Sequence, residues 1–153
     1  IKAKQNHLQI GFVHKAYPPV LAWLSQQIGL SSALIIRGIE GGVLPTLREH
    51  SNNHRAFPDK VEACELNPAD FGIEQDTRGV LPNQETVTAA ETVELALKAF
   101  NGQTGTTYDS LVYGAASALW HTGLQATKQQ AADHVRDVIN SGKAKAHFEQ
   151  GVG

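Results

Sequence analysis

The sequence contains no methionine and a single cysteine, Cys64. One thiol excludes an intramolecular disulfide and fits a reducing compartment, so a cytoplasmic location is the expectation. No run of about 18 apolar residues occurs, and neither does the succession that marks a signal peptide, so neither a membrane span nor export is expected. Charge of one sign is lacking too: the formal net charge is -2, which gives no global field to attract nucleic acid or an anionic membrane, and leaves only local binding of that kind. There is no G-x-S-x-G nucleophile elbow, no P-loop ending in Gly-Lys-Ser/Thr and no complete dinucleotide fingerprint. No acid-base pair stands out, and no residue is assigned a catalytic role.

What is present is an ordinary globular composition, 41% hydrophobic and 18% charged over 153 residues, which suits one domain with a sizeable core. The chain opens at Ile1 with no initiator methionine and enters an extended run within a few residues, so it is read as a piece of something longer. The run Leu8 to Val13 is a first strand. Pro18 and Pro19 suit the opening of a helix, which continues through Val20, Leu21, Trp23, Leu24 and Ile28 to Gly29. The strand Ala33 to Ile36 follows. Strand, helix and strand over about thirty residues predict a βαβ unit with parallel strands and a right-handed crossover.

Thr46 to Asp59 is polar and without period, and is read as an exposed loop; Val61 to Leu66 alternates and predicts a third strand. Asn67-Pro68 starts a single helical turn that Gly72 ends, and Ile73 to Pro82 is loop. Then come helices: one with the stripe Val87, Ala90, Val93, Leu97 and Phe100, one opened by Thr106 with Asp109, one opened by Thr127 with Gln130, and a short last one from Lys143 to Glu149. The predicted fold is α/β, part of a mostly parallel sheet domain followed by a cluster of three or four helices. Three strands would be thin where about five or six are usual, which again suggests missing sequence.

The chemistry-bearing stretch is Ser32 to Pro45, where a strand runs straight into Arg37, Gly38, Glu40, Gly41 and Gly42. Glycines outside the carboxyl end of a strand let the backbone approach a ligand, and Arg37 supplies a counter-charge, so these five residues form a candidate ribose or phosphate site. His50 and His54 have the four-residue spacing of metal ligands, but Ser51-Asn52-Asn53 between them is poor helix and no third ligand is evident, so no metal is assigned. Arg48, Arg55 and Lys60, with Arg37, form a loosely basic set that could contact nucleic-acid phosphates, with Phe57 available to stack a base; Glu49 and Asp59 dilute it. Cys64 is read as an inert thiol, and Trp23 and Trp120 as core.

The segments HLQIGFVH, SALIIRGIEGG, VEACELNPADFGI, LVYGAASALWHTG and ATKQQAADHVRDVINSGKAKAHFE, in this order, resemble the carboxyl-terminal half of the anthranilate phosphoribosyltransferase family, glycosyltransferase family 3. The resemblance implies a homodimer in which an α/β domain accompanies a small helical one. It also implies a reaction, the transfer of phosphoribosyl from phosphoribosyl pyrophosphate to the amine of anthranilate, with magnesium, in tryptophan biosynthesis. The family's pyrophosphate loop and its anthranilate-holding residues belong to the other half and have no counterpart here. In the biosynthetic enzymes the glycine turn reads H-G-x-D-G-L-D-E, whose last two acids hold magnesium. Here Arg37 stands for the histidine, Glu40 keeps an acid, and Val43 and Leu44 occupy the places of the metal acids. A divergent branch with a similarly altered turn is thought to bind nucleic acid. The expectation is a phosphoribosyltransferase-type protein acting on an aromatic amine, with a catalytically lapsed nucleic-acid binder as the alternative.

Overall fold

The computed structural model describes residues 5–81 and 87–152; Lys2, Lys4 and Pro82 lie outside them. Four strands form one sheet in the order β1 (His7–Gly11), β2 (Ser32–Ile36), β3 (Ser51–Ala56), β4 (Val61–Leu66). β1 and β2 are parallel and joined by α1 (Tyr17–Gln27), which is the expected βαβ unit with Pro18 and Pro19 in the first turn. The sheet is mixed, not mostly parallel, because β3 runs antiparallel to both β2 and β4.

β3 corrects the reading of Thr46 to Asp59 as loop, and raises the strand count from three to four. Its polar residues fold as a strand because partners on both edges satisfy the backbone and because the inward polar side chains find hydrogen bonds; such context overrides strand propensity. Asn53, 1% exposed, donates from its amide to the Ser51 carbonyl (2.7 Å) and to Ser51 Oγ (3.0 Å). The turn between β3 and β4 is closed by the Phe57 N–H donating to the Lys60 carbonyl, 2.8 Å.

On one face of the sheet Leu34, Ile36 and Leu66 meet α3 (Thr106–His121) and α4 (Lys128–Asn140), with Phe71 and Tyr113 edge to face at 4.7 Å. A short 3₁₀ turn, Pro68–Phe71, capped by Asn67 Oδ1, is tied to α4 by Arg136, which donates to the carbonyls of Phe71 (2.7 Å) and Gly72 (3.0 Å). α2 (Ala89–Phe100) and α5 (Lys143–Val152) pack outside, where Phe100 stacks on Phe148. The other face carries a small cluster, Phe12, Ala22, Ala33, Ile35 and Ala56, under α1 alone.

The helix boundaries largely follow the sequence signals, but the buried faces differ. Thr127 caps α4 by accepting from the Gln130 N–H, as expected. Thr106 does not cap α3: Gly105 is the N-cap, Asp109 accepts from Gln75 (2.6 Å), and the Thr106 hydroxyl lies against that of Thr77, so the 73–81 loop has claimed both side chains. α2 begins at a capping box of Thr88 and Glu91; of its predicted stripe Val87, Leu97 and Phe100 are half-buried and Ala90 and Val93 exposed, while Ala99, outside the stripe, is the buried residue of the helix. α1 buries Pro18, Ala22 and Ser25, while Trp23, read as core, is 57% exposed. Trp120 packs partly buried against the main cluster. Among the described residues no helix is long and apolar enough to cross a membrane.

Candidate functional site

The glycine turn leaves β2 at the carboxyl end of the parallel pair. Its Ile39–Gly41 segment forms a single 3₁₀ turn, in which the Gly42 N–H donates to the Ile39 carbonyl (2.9 Å), and the Ile39 N–H donates to the Leu44 carbonyl (2.9 Å) across the wider loop. The glycines are needed for close approach: a Cβ on Gly38 or on Gly11 of β1 would fall on the backbone carbonyl of Gly42. Glu40 sits at the exposed tip with φ +52°, a conformation costly for a residue with a Cβ and found where surrounding structure enforces it. Leu44 turns inward onto α3, where it fills the space a side chain at Gly114 would need, and the Val43 carbonyl accepts from Gln9, 3.0 Å.

Two cavities open at this end of the sheet. One, of about 440 Å³, is lined by Arg37, Gly38, Thr46, His50, Asn52 and Arg78, among others. The second, of about 410 Å³, is lined by Phe12, His14, Lys15, Arg37, Asn52 and His54, among others. Arg37 and Asn52 belong to both, so the two form one bilobed cleft. The Arg37 side chain is exposed while its backbone is fixed, its N–H donating to Oδ1 of Asn53 at 2.8 Å. His54 presents a buried Nδ1 with no hydrogen-bond partner among the described residues. A larger cavity, about 680 Å³, lies against the 67–77 stretch and is lined by Arg48, Glu74 and Asp76.

Of the five glycine-turn candidates, Arg37 and Gly38 line the cleft, Glu40 and Gly42 are exposed, and Gly41 is half-buried. The basic set Arg37, Arg48, Arg55 and Lys60 is divided. Arg37 and Arg48 flank the start of β3, whereas Arg55 and Lys60 lie at its far end. Arg55 is already engaged: its guanidinium stacks over Phe57 (5.0 Å) and Trp120 (4.8 Å), its Nε donates to Nδ1 of His121 (3.3 Å), and Glu62 lies 3.9 Å away. Lys60 pairs with Glu62 at 2.6 Å and lies over Phe57, and this contact draws the Glu62 carboxyl below its ordinary value. Phe57 is thus covered by cations of its own chain. His50 and His54 are not a ligand pair: in extended chain four residues span roughly 13 Å, too far to share one ion. Cys64, half-buried on β4, has its thiol pushed up by burial.

Sequence reasoning missed Arg78 and Asn53. Arg78 reaches the cleft because the Leu47 N–H donates to its carbonyl (2.8 Å), a long-range pairing that no local signal announces. Asn53 was hidden in the unrecognised strand.

At the amino end of the same strands lies a dry counterpart. Arg55 donates to Nδ1 of His121, so His121 carries its proton on Nε2 and donates to Ser32 Oγ at 2.7 Å; the Ser32 hydroxyl then donates to Nδ1 of His7 at 2.8 Å. His121 is 4% exposed, and burial, then the charge of Arg55, lower its pKa to about 4.

A strand-to-glycine turn at the carboxyl end of a parallel pair, facing a cleft, is where open α/β sheets place their ligand sites. Residues 1–145 match the model of the glycosyl transferase family, a/b domain, and the chain belongs to that family. Within it, the chain is similar to anthranilate phosphoribosyltransferase of Neisseria gonorrhoeae (strain ATCC 700825 / FA 1090), 30% identical over 148 residues, which are 94% of this chain and 42% of that protein. The Petrotoga mobilis (strain DSM 10674 / SJ95) enzyme of the same name is 26% identical over 138 residues, covering 89% and 38%. Among solved structures, anthranilate phosphoribosyltransferase (TrpD) from Thermus thermophilus superposes with a TM-score of 0.67 at 17% identity, over 92% of this chain and 40% of that one; the likeness is one of fold. The chain thus spans about two fifths of the length of these relatives.

Proposed function

We propose that this chain forms the ribose-and-phosphate side of the cleft in a phosphoribosyltransferase-type protein that transfers the pentosyl group of phosphoribosyl pyrophosphate to an aromatic or other small amine. The observation that carries the reading is Arg37, held by Asn53 at the wall common to both lobes of the cleft. Transfer of this kind requires the departing pyrophosphate's charge to be neutralised by groups fixed in advance. Arg37, Arg78 and Lys15 are cations available there, and Gly38 lets the backbone approach.

Magnesium, which the family implies, does not fit the residues present in the turn. The side chains of Val43 and Leu44 carry no oxygen for a hard cation, their carbonyls already accept from Gln9 and Ile39, and the Leu44 side chain is spent packing against Gly114. Charge neutralisation therefore falls to the arginines. Calorimetric titration of phosphoribosyl pyrophosphate into the full-length chain tests this. Binding that persists in chelator and weakens at least tenfold in Arg37→Ala is the expected result; absence of binding with and without magnesium would overturn it.

The runner-up, a lapsed enzyme holding nucleic acid, draws on the same end of the sheet. Arg37, Arg48 and Arg78 are exposed there, whereas Arg55 and Lys60 are occupied. DNA or RNA affinity that falls steeply with salt and is lost in Arg37→Ala/Arg48→Ala would favour it.

A further inference from the structure

The two lobes of the cleft differ in what they can offer a ligand. The first, with Arg37 and Arg78, also holds the hydroxyl of Thr46 and the carboxylate of Glu49, so it can accept hydrogen bonds as well as donate them. The second is lined by Phe12, Pro18, His14, Lys15, Asn52 and His54, with Arg37 on the shared wall, and among these Asn52 alone brings a free side-chain acceptor.

Both imidazoles are set as donors. Nδ1 of His14 accepts from the Ala16 N–H at 3.2 Å, which leaves the ring proton on Nε2. Nδ1 of His54 is sealed from solvent and has no partner among the described residues. An N–H there would be an orphaned donor, so its proton too belongs on Nε2, the one ring nitrogen a ligand can reach. The start of α1 is not what binds: Pro18 and Pro19 have no N–H, and the Tyr17 N–H is spent on the His14 carbonyl (3.0 Å), so the donors come from side chains. The frame that carries them is held. The Phe12 N–H donates to the Ile36 carbonyl (2.9 Å), the Phe12 ring lies edge to face with His54 at 6.4 Å, and a Cβ on Gly41 would fall on the Val13 methyl, so the corner between β1 and α1 packs directly on the glycine turn. Phe12 and Pro18, both buried, give the lobe an apolar back, which suits the end of a ligand more than a chain passing through.

We infer that this second lobe is a subsite for a terminal phosphate monoester, held by Lys15, Arg37 and the Nε2–H groups of His14 and His54. The inference rests on reading the cleft as a sugar-phosphate site. A phosphate monoester is close to a dianion at neutral pH and its terminal oxygens only accept, which matches two cations among donors. A carboxylate or a nucleic-acid diester brings a single charge, and the diester has no free end. The ligand then spans the cleft, with its phosphate in this lobe and a second anionic group against Arg37 and Arg78.

Calorimetric titration of the full-length protein with two probes reads the lobes apart. Ribose 5-phosphate carries one phosphate, which belongs in the second lobe; inorganic pyrophosphate belongs in the first. Lys15→Ala should weaken ribose 5-phosphate roughly tenfold and leave pyrophosphate within about twofold, Arg78→Ala should do the reverse, and Arg37→Ala should weaken both. Lys15 is exposed, and pyrophosphate binding by its variant shows that the variant has folded. Equal losses for the two probes in Lys15→Ala, or no loss for ribose 5-phosphate, overturn the inference, as does ribose 5-phosphate binding no more tightly than ribose. Phosphoribosyl pyrophosphate separates the subsite from the transferase reading. Binding of it that Lys15→Ala leaves untouched overturns the subsite alone, whereas no binding of it, with ribose 5-phosphate still held through Lys15, overturns the transferase reading alone.

Discussion

Arg37 and Arg55 lie at opposite ends of the same sheet, and only one is available to a ligand. At the carboxyl end the backbone is fixed and the side chains are free: Asn53 holds the Arg37 N–H while the guanidinium faces the cleft. At the amino end Arg55 is stacked between Phe57 and Trp120 and bonded to His121. A basic residue type in a sequence is therefore no measure of a basic surface; what matters is whether the chain's own aromatic rings and carboxylates have already taken the charge.

The largest effect that would break this contrast is at the turn. Gly38→Ala should destabilise the fold by about 4 kcal/mol, because the new Cβ meets a backbone carbonyl that cannot swing aside. Denaturant unfolding measures it, and a change under about 1 kcal/mol would show that the turn is pliable.

Next is the titration of His121. Its folded pKa, about 4, lies below its ordinary 6.5, so between these values the unfolded chain binds more protons than the folded one. Stability should fall by about 3 kcal/mol as the pH drops through that window, with no contribution from this group above it. His121→Asn should flatten the profile; an unchanged slope would assign it elsewhere.

Arg55→Ala follows, at about 2 kcal/mol for the lost stacking and charged hydrogen bonds, with no change in ligand affinity at the far end. Smallest are Arg37→Ala, within about 0.5 kcal/mol of the parent in stability although it empties the cleft of its shared cation, and Lys60→Ala, which should move neither melting temperature nor affinity for nucleic acid. A large affinity loss in Lys60→Ala would join the two ends into one surface and dissolve the contrast.

The parts of the fold legible in the sequence were those specified locally. Pro18-Pro19, Asn67-Pro68 and Thr127 with Gln130 each mark an element start that the structure keeps. β3 was illegible because Ser51 to Arg55 have low strand propensity and are held by neighbours on both sides. The one available signal was Phe57-Pro58-Asp59-Lys60, a turn with proline at its second position just ahead of Val61, which calls for a strand before it. At the site, Gly38 and Arg37 could be read from their place after β2. Asn53 and Arg78 could not, since the first depended on the missed strand and the second on a long-range backbone pairing. Trp23 was read as core because it sits on a helix, yet it faces outward here.

Leu44 against Gly114 ties the glycine turn to the third helix through a contact with no polar atom in it. A carboxylate at position 44 would therefore drive a charge against the buried face of that helix, so at this one position the apolar anchor of the turn and an acidic side chain exclude each other.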